Sequence, residues 1–294
     1  MRQIIYVCYA LVVCSLLTNH TNGQERGAFG EREAKGSLSY DEIKEASGLV
    51  ASVRNPGNFW THNDSGDHAR IFLINDSAQL KKTCYLKGVV ARDWEDIGIM
   101  RRHGTNYIIV GDIGDNKAQY PYVAVHIFEE PKVTVRSPVV DTIPPTGICS
   151  IILKYEDGPR DAESLFFDPQ DERLYIISKR ELSVGVYYTD LPSGPVDTLV
   201  LKKAGNLPLA FATSAAISAD GQELLVKNLV AVFYWKRKPG ETIPDMLKRP
   251  AVTLPYIPEP QGEAIAFSRE GDGYYTLSER PLGMAAILYF YKRL

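Results

Sequence analysis

Three carboxylates crowd around a tryptophan in ARDWEDIGIM (91–100): Asp93, Glu95 and Asp96, with an apolar run directly behind them. An acid opens an alternating apolar run twice more, at Glu163 in PRDAESLFFD (159–168) and at Glu263 in PQGEAIAFSR (260–269). Carboxylates transfer protons, pair with cationic groups and ligate hard metal ions. Which of these applies depends on whether acids so far apart in the chain meet in space.

Two further segments share the plan but open on a hydroxyl, Ser47 in SGLVASV and Thr213 in TSAAISA. Two and four residues past each opening position stand apolar or small residues: Leu49/Ala51, Ile97/Ile99, Leu165/Phe167, Ala215/Ile217 and Ile265/Phe267. Period-two alternation marks a strand with one buried face. Turn-forming stretches follow (RNPGN, RHGTN, DPQDE, SADGQ, SREGDG), then a second strand (NFWTH, NYIIV, RLYII, ELLVK, GYYTL), then a third. From Ser47 to Glu263 the intervals are 48, 68, 50 and 50 residues, the long one assigned to an insertion at 144–160. A repeat of three or four strands near this period predicts an all-β fold, a five-bladed β-propeller filling residues 36–294 as one domain. The last repeat ends at Leu294 after its third strand, and an unpaired edge is a liability. An N-terminal strand in GSLSYDEIK (36–44) is therefore expected to close the last blade, with 24–35 as a mobile lead-in.

The first residues have the layout of a secretory signal peptide: Arg2, an apolar run from Ile4 to Leu17, then polar residues up to Gly23. Residues 1–23 are expected to be removed and the protein to be secreted or periplasmic. Lipid anchoring at Cys14 fits less well, because Val12 and Val13 before it are bulky. Of the four cysteines, Cys84 and Cys149 remain in the mature chain, as a disulfide or as two thiols. The composition is 45% hydrophobic and 23% charged with a net charge of −3, which gives no electrostatic basis for binding a nucleic acid polymer. The apolar run is too short to predict a membrane span.

In a propeller the first residues of the inner strands face one axis. Ser47, Glu95, Glu163, Thr213 and Glu263 would meet there, as two hydroxyls and three carboxylates. Unpaired acids at close quarters repel and titrate upward, and an oxygen-only ligand set selects a hard cation, Ca²⁺ before zinc or copper. Seventeen residues further on come Asp64, Asp112, Arg180 and Arg280, with Lys227 the nearest charge in the fourth repeat. A rim of mixed sign suits a small phosphorylated or anionic ligand that also touches a metal. Two structural readings stand beside these: acids that cap backbone N–H groups or pair with a neighbouring Arg, and a rim of solvated salt bridges.

The order hydroxyl, Glu, Glu, hydroxyl, Glu at Ser47, Glu95, Glu163, Thr213 and Glu263 resembles the calcium-activated nucleotidase (apyrase) family of five-bladed propellers with Ca²⁺ in the channel. Where that family has Ser, this chain has Thr213, and its rim loops differ in length. HNDSG, DWEDIG, GDIGDN and DAESL also resemble secreted bacterial propeller-like proteins of unassigned activity. The first resemblance implies a metal-dependent phosphoester or phosphoanhydride hydrolase. Asp64 and Asp112 would then act on water, while Arg180, Lys227 and Arg280 hold phosphate. The alternative is a non-catalytic propeller with a structural channel ion, binding a glycan or a partner protein through exposed aromatics, Trp60, Trp94, Trp235 and several Tyr. A lactone or sugar-ester hydrolase is a third reading.

Overall fold

The computed structural model describes residues 28–192, 194, 196–280 and 283–294. The expected signal peptide lies outside them. Strand β1 (Phe29–Leu38) comes first and pairs with the last strand of the chain. An antiparallel meander follows: β2 (Ala46–Ala51), β3 (Asn58–Asn63), β4 (Arg70–Asn75) and β5 (Leu80–Leu86). A second starts with β6 (Trp94–Arg102), β7 (Thr105–Asp112) and β8 (Val123–Glu129). The chain then steps back to add β9 (Val140–Ile143) parallel to β5, and returns as β10 (Ile148–Tyr155) beside β8.

The third meander is β11 (Ala162–Asp168), β12 (Arg173–Ser178), β13 (Val184–Asp190) and β14 (Thr198–Leu207). Its outer strand β14 runs parallel to β10, which fuses the second and third units into one eight-stranded sheet. The fourth is β15 (Ala212–Ile217), β16 (Glu223–Asn228), β17 (Val232–Lys236) and, after the short helix α1 (Ile243–Leu247), β18 (Val252–Leu254). The fifth is β19 (Gly262–Phe267), β20 (Gly273–Ser278) and β21 (Ala286–Arg293), with β1 on its outer edge. The inner strands β2, β6, β11, β15 and β19 pack each against the next, and β19 against β2. The fold is all-β and propeller-like.

The period-two pattern explains this packing. Both faces of each unit meet a neighbour, so alternate residues serve different apolar layers: Leu165 and Phe167 join one, Phe166 the next. Five such layers lie between successive units, the last between the fifth and the first. Fully burying one large side chain stabilises by about 1.5–3 kcal/mol, so layers of this size carry most of the fold. Trp60, Trp94 and Trp235 belong to them, at 0%, 1% and 3% exposure. The expectation that these rings meet a glycan or a partner is therefore corrected: they are core.

Two boundaries also differ. The closing strand begins at Phe29, not at residue 36, so much of the expected lead-in is ordered sheet. As an outer strand it is buried at its two ends alone and carries charges between them, which hides its alternation; Phe29 anchors it, edge-on to Tyr234 and Tyr274. The expected insertion at 144–160 contains β10, the regular outer strand of the second unit, and the extra length instead precedes it, where β9 is lent to the first sheet. Cys84 is buried and Cys149 exposed, both as free thiols. Among the described residues no helix is long and apolar enough to cross a membrane.

Candidate metal centre

Each inner strand slips by one residue against its neighbour near its start. The unpaired extra residues are Gly48, Glu95, Glu163, Thr213 and Glu263. A bulge of this kind breaks the ladder locally and re-aims a side chain. In three units the re-aimed residue is Glu. In the first it is Gly48, at φ +61°, where a Cβ would come within 2.8 Å of His62 Nε2 and Ile97 N.

The three glutamates are joined by acids from two neighbouring positions. Asp93 and Asp161 stand two residues before Glu95 and Glu163, while Asp64 and Glu279 follow the ends of β3 and β20. Ligand oxygens lie within 4.8 Å of one another in three groups: Asp64/Asp93/Glu95, Asp64/Glu263/Glu279 and Glu95/Asp161/Glu163. Asp64 and Glu95 are each shared, so seven carboxylates form one connected cluster. Glu95, Asp161, Glu163, Glu263 and Glu279 are buried, and Asp64 and Asp93 partly so.

Lys179, the residue after β12, contacts Glu163 Oε1, and Arg180 Nε donates to Asp161 Oδ2 at 2.5 Å. The second oxygen of Glu163, Oε2, is buried without a hydrogen-bond partner. Gly114 abuts the cluster; a Cβ there would overlap the carboxylates of Glu95 and Asp93.

Burial raises the pKa of these acids, and their neighbours add to it. Asp64 is pushed up to about 7 by burial and then by Glu263 and Asp93. Glu163 rises to about 8 and Glu279 to about 9, burial being the largest cause in both. Burial, then Glu163 and Asp64, hold Glu95 well above the usual range, and Asp93 is raised too. Burial disfavours the Lys179 ammonium, but Glu163, Glu263 and Glu95 more than offset it and raise its pKa. Full ionisation of the cluster at neutral pH therefore needs added positive charge. The donors are all oxygens, the set that suits a hard divalent cation.

The other expected site residues are placed differently. Ser47 Oγ donates to the backbone oxygen of Glu95 at 2.6 Å, and Thr213 Oγ1 to that of Lys227 at 3.5 Å. Asp112 accepts from the backbone N–H groups of Arg92 (3.2 Å) and Asp93 (3.1 Å), so it clamps the turn that aims Asp93. Lys227 is fully buried, bonded to the carbonyls of Gly262 and Asn228 with its Nζ 4.8 Å from the Tyr256 ring centre. Arg280 donates from its guanidinium to the Tyr40 carbonyl at 2.9 Å and holds the 40–44 segment. In these contacts all three side chains hold backbone groups, where water activation by Asp112 and phosphate binding by Lys227 and Arg280 were expected. Arg180, bonded to Asp161 and Asn116 and 45% exposed, stays at the rim.

The reason is register. The second strands end at Asn63, Asp112, Ser178, Asn228 and Ser278, so the residues directly after them are Asp64, Ile113, Lys179, Leu229 and Glu279. The turns between first and second strands run from two to six residues, so a constant spacing of seventeen drifts between these positions. One residue of drift turns a side chain to the other face. Lys179 and Glu279 were missed for this reason, although SKR echoes SER, and Asp93 and Asp161 because a bulge lies inside the D-x-E of RDWE and RDAE.

Asp96 plays a separate part. It is fully buried, and its carboxylate accepts from Ile97 N (2.9 Å), Leu165 N (2.9 Å), Ala215 N (3.2 Å) and Ser214 Oγ (3.1 Å). One side chain thus stitches β6, β11 and β15 together. Burial lifts its pKa to about 8 while those donors pull it down.

No protein-family model matches the chain, and no curated protein does. Among solved structures it is similar to a chain in a crystal structure of a nidogen/laminin complex, at 12% identity and a TM-score of 0.44, over 80% of this chain and 73% of that one. A likeness that distant says nothing of what this chain binds.

Proposed function

We propose that the chain is a five-bladed β-propeller that binds a hard divalent cation, Ca²⁺ foremost, in the carboxylate cluster at the head of its inner strands. The observation that carries the reading is the clustering of seven carboxylates from four units in three overlapping groups that share Asp64 and Glu95. The unpartnered Glu163 Oε2 and the side-chain-free cradle at Gly114 support it. Glu95, Glu163, Glu263, Asp64, Asp93, Asp161 and Glu279 are the residues that would hold the ion, which supplies the positive charge this cluster lacks. The five-fold reading of the fold is supported by the closed succession of inner strands and by the five apolar layers.

The geometry favours cation binding over turnover. Of the residues expected to serve a phosphoester or phosphoanhydride hydrolase, Asp112, Lys227 and Arg280 are committed to structural contacts, and Asp64 and Arg180 alone remain at the mouth.

Calorimetric titration of chelator-stripped protein with Ca²⁺, paired with thermal melting, tests the reading. Saturable binding is expected, with stability rising by about 2.7 kcal/mol at a free Ca²⁺ concentration one hundred times Kd. No heat of binding and an unchanged melt with Ca²⁺, Mg²⁺ and Mn²⁺ would overturn it.

A further inference from the structure

We infer that Lys179 is the resident counter-ion of the carboxylate cluster and the competitor a divalent cation must displace. The inference rests on the cation-binding reading above and adds what sets its affinity. Of the five residues directly after the second strands, Asp64, Ile113, Lys179, Leu229 and Glu279, one alone carries a cation. Its ammonium contacts Glu163 Oε1 and lies in the field of Glu263 and Glu95, with the side chain 14% exposed. Arg180 next to it pairs with one member of the cluster, Asp161, and with Asn116, but from the rim, with its side chain 45% exposed.

A tethered ammonium has two consequences. It is always present at high effective concentration, so it lowers the apparent affinity of any free cation for the same oxygens. It also supplies one charge through three N–H donors, where a divalent ion supplies two charges and takes six to eight oxygen ligands. Glu163 shows the half-filled state this produces: one oxygen on the ammonium, the other unpartnered. A monovalent ion gains little by replacing an ammonium of equal charge, whereas a divalent ion gains the second charge. Lys179 thereby selects for charge as well as setting the threshold.

The test compares Ca²⁺ titrations of the stripped mature protein, Lys179→Met, Lys179→Gln and Lys179→Arg. Removing the positive charge is expected to tighten Ca²⁺ binding at least about tenfold, since a like charge a few ångströms from the ion is lost. Lys179→Arg is expected to match the unmodified protein or bind more weakly. In chelator, Lys179→Met and Lys179→Gln should melt below the unmodified protein, and saturating Ca²⁺ should reverse that order. Should either neutral variant fold only with Ca²⁺ present, the inference is supported in stronger form. Failure of both to fold even in Ca²⁺ overturns it, because a divalent ion then cannot replace the ammonium. Equal or weaker binding by the neutral variants overturns the competition and leaves the cation site standing. Absence of binding by every form removes the site and the competition together, while binding by the neutral variants alone upholds both.

Discussion

The two ends of the inner-strand ring carry opposite chemistry on the same five strands. At the head, bulges turn Glu95, Glu163 and Glu263 into a carboxylate cluster that contains one contacting ammonium. Toward the tail the ladders are regular, and all five strands line a cavity of about 80 Å³ whose walls include Leu49, Ile97, Leu165, Ile217 and Phe267. Between them Asp96 ties three strands with four hydrogen bonds. One displaced residue per strand is enough to separate a charged mouth from an apolar throat. The head thus gathers like charges that repel, while the tail gathers mainly apolar side chains.

Asp96→Ala should be the most damaging change to this division. It would leave the N–H groups of Leu165 and Ala215 and the Ser214 hydroxyl buried without an acceptor, each at about 1–3 kcal/mol. A loss of several kcal/mol in urea unfolding is expected, or failure to fold; a loss below 1 kcal/mol would show that the stitch is dispensable.

Leu165→Ala comes next. Leu165 is fully buried, so truncation should cost about 2–5 kcal/mol. Its Ca²⁺ affinity should stay within about twofold, in keeping with the near-additivity of separate sites. A tenfold change would mean that throat and mouth act as one unit.

The smallest effect concerns pH. Asp64, Glu163 and Glu279 have folded pKa values of about 7, 8 and 9, above their ordinary values of 3.8, 4.5 and 4.5. Acids raised in this way contribute stability that is present below the ordinary value and lost as pH climbs through the folded one. His62, lowered to about 4 by burial, acts in the opposite direction below its ordinary 6.5. Between pH 6.5 and 8.5 the melting temperature in chelator should therefore fall, and Ca²⁺ should flatten that slope by holding the carboxylates ionised. A melting temperature that rises across this interval in chelator would contradict the clustered acids.

Parts of this arrangement were legible before any coordinates. Glu95, Glu163 and Glu263 stood out because strand alternation restarts behind each of them, and the turn residues between runs fixed the order of the meanders. Asp93 and Asp161 were visible as D-x-E but had no assigned direction, since nothing local shows that a bulge lies inside the motif. Asp112, Lys227 and Arg280 are charged and near the correct spacing, yet their partners, the 92–93 turn, the Gly262 carbonyl and the Tyr40 carbonyl, lie from 19 to 240 residues away in sequence.

The sequence by itself determined the strands, their repetition and the presence of an acid at the start of three of them, because hydrophobic period and turn chemistry act over a few residues. Tertiary structure alone decided which charges face the centre, that Lys179 reaches Glu163 while Arg180 meets the cluster through Asp161 from the rim, and that Asp96 serves the fold. Direction in a strand reverses with every residue, so it depends on register, and register is set by partners that only folding brings together.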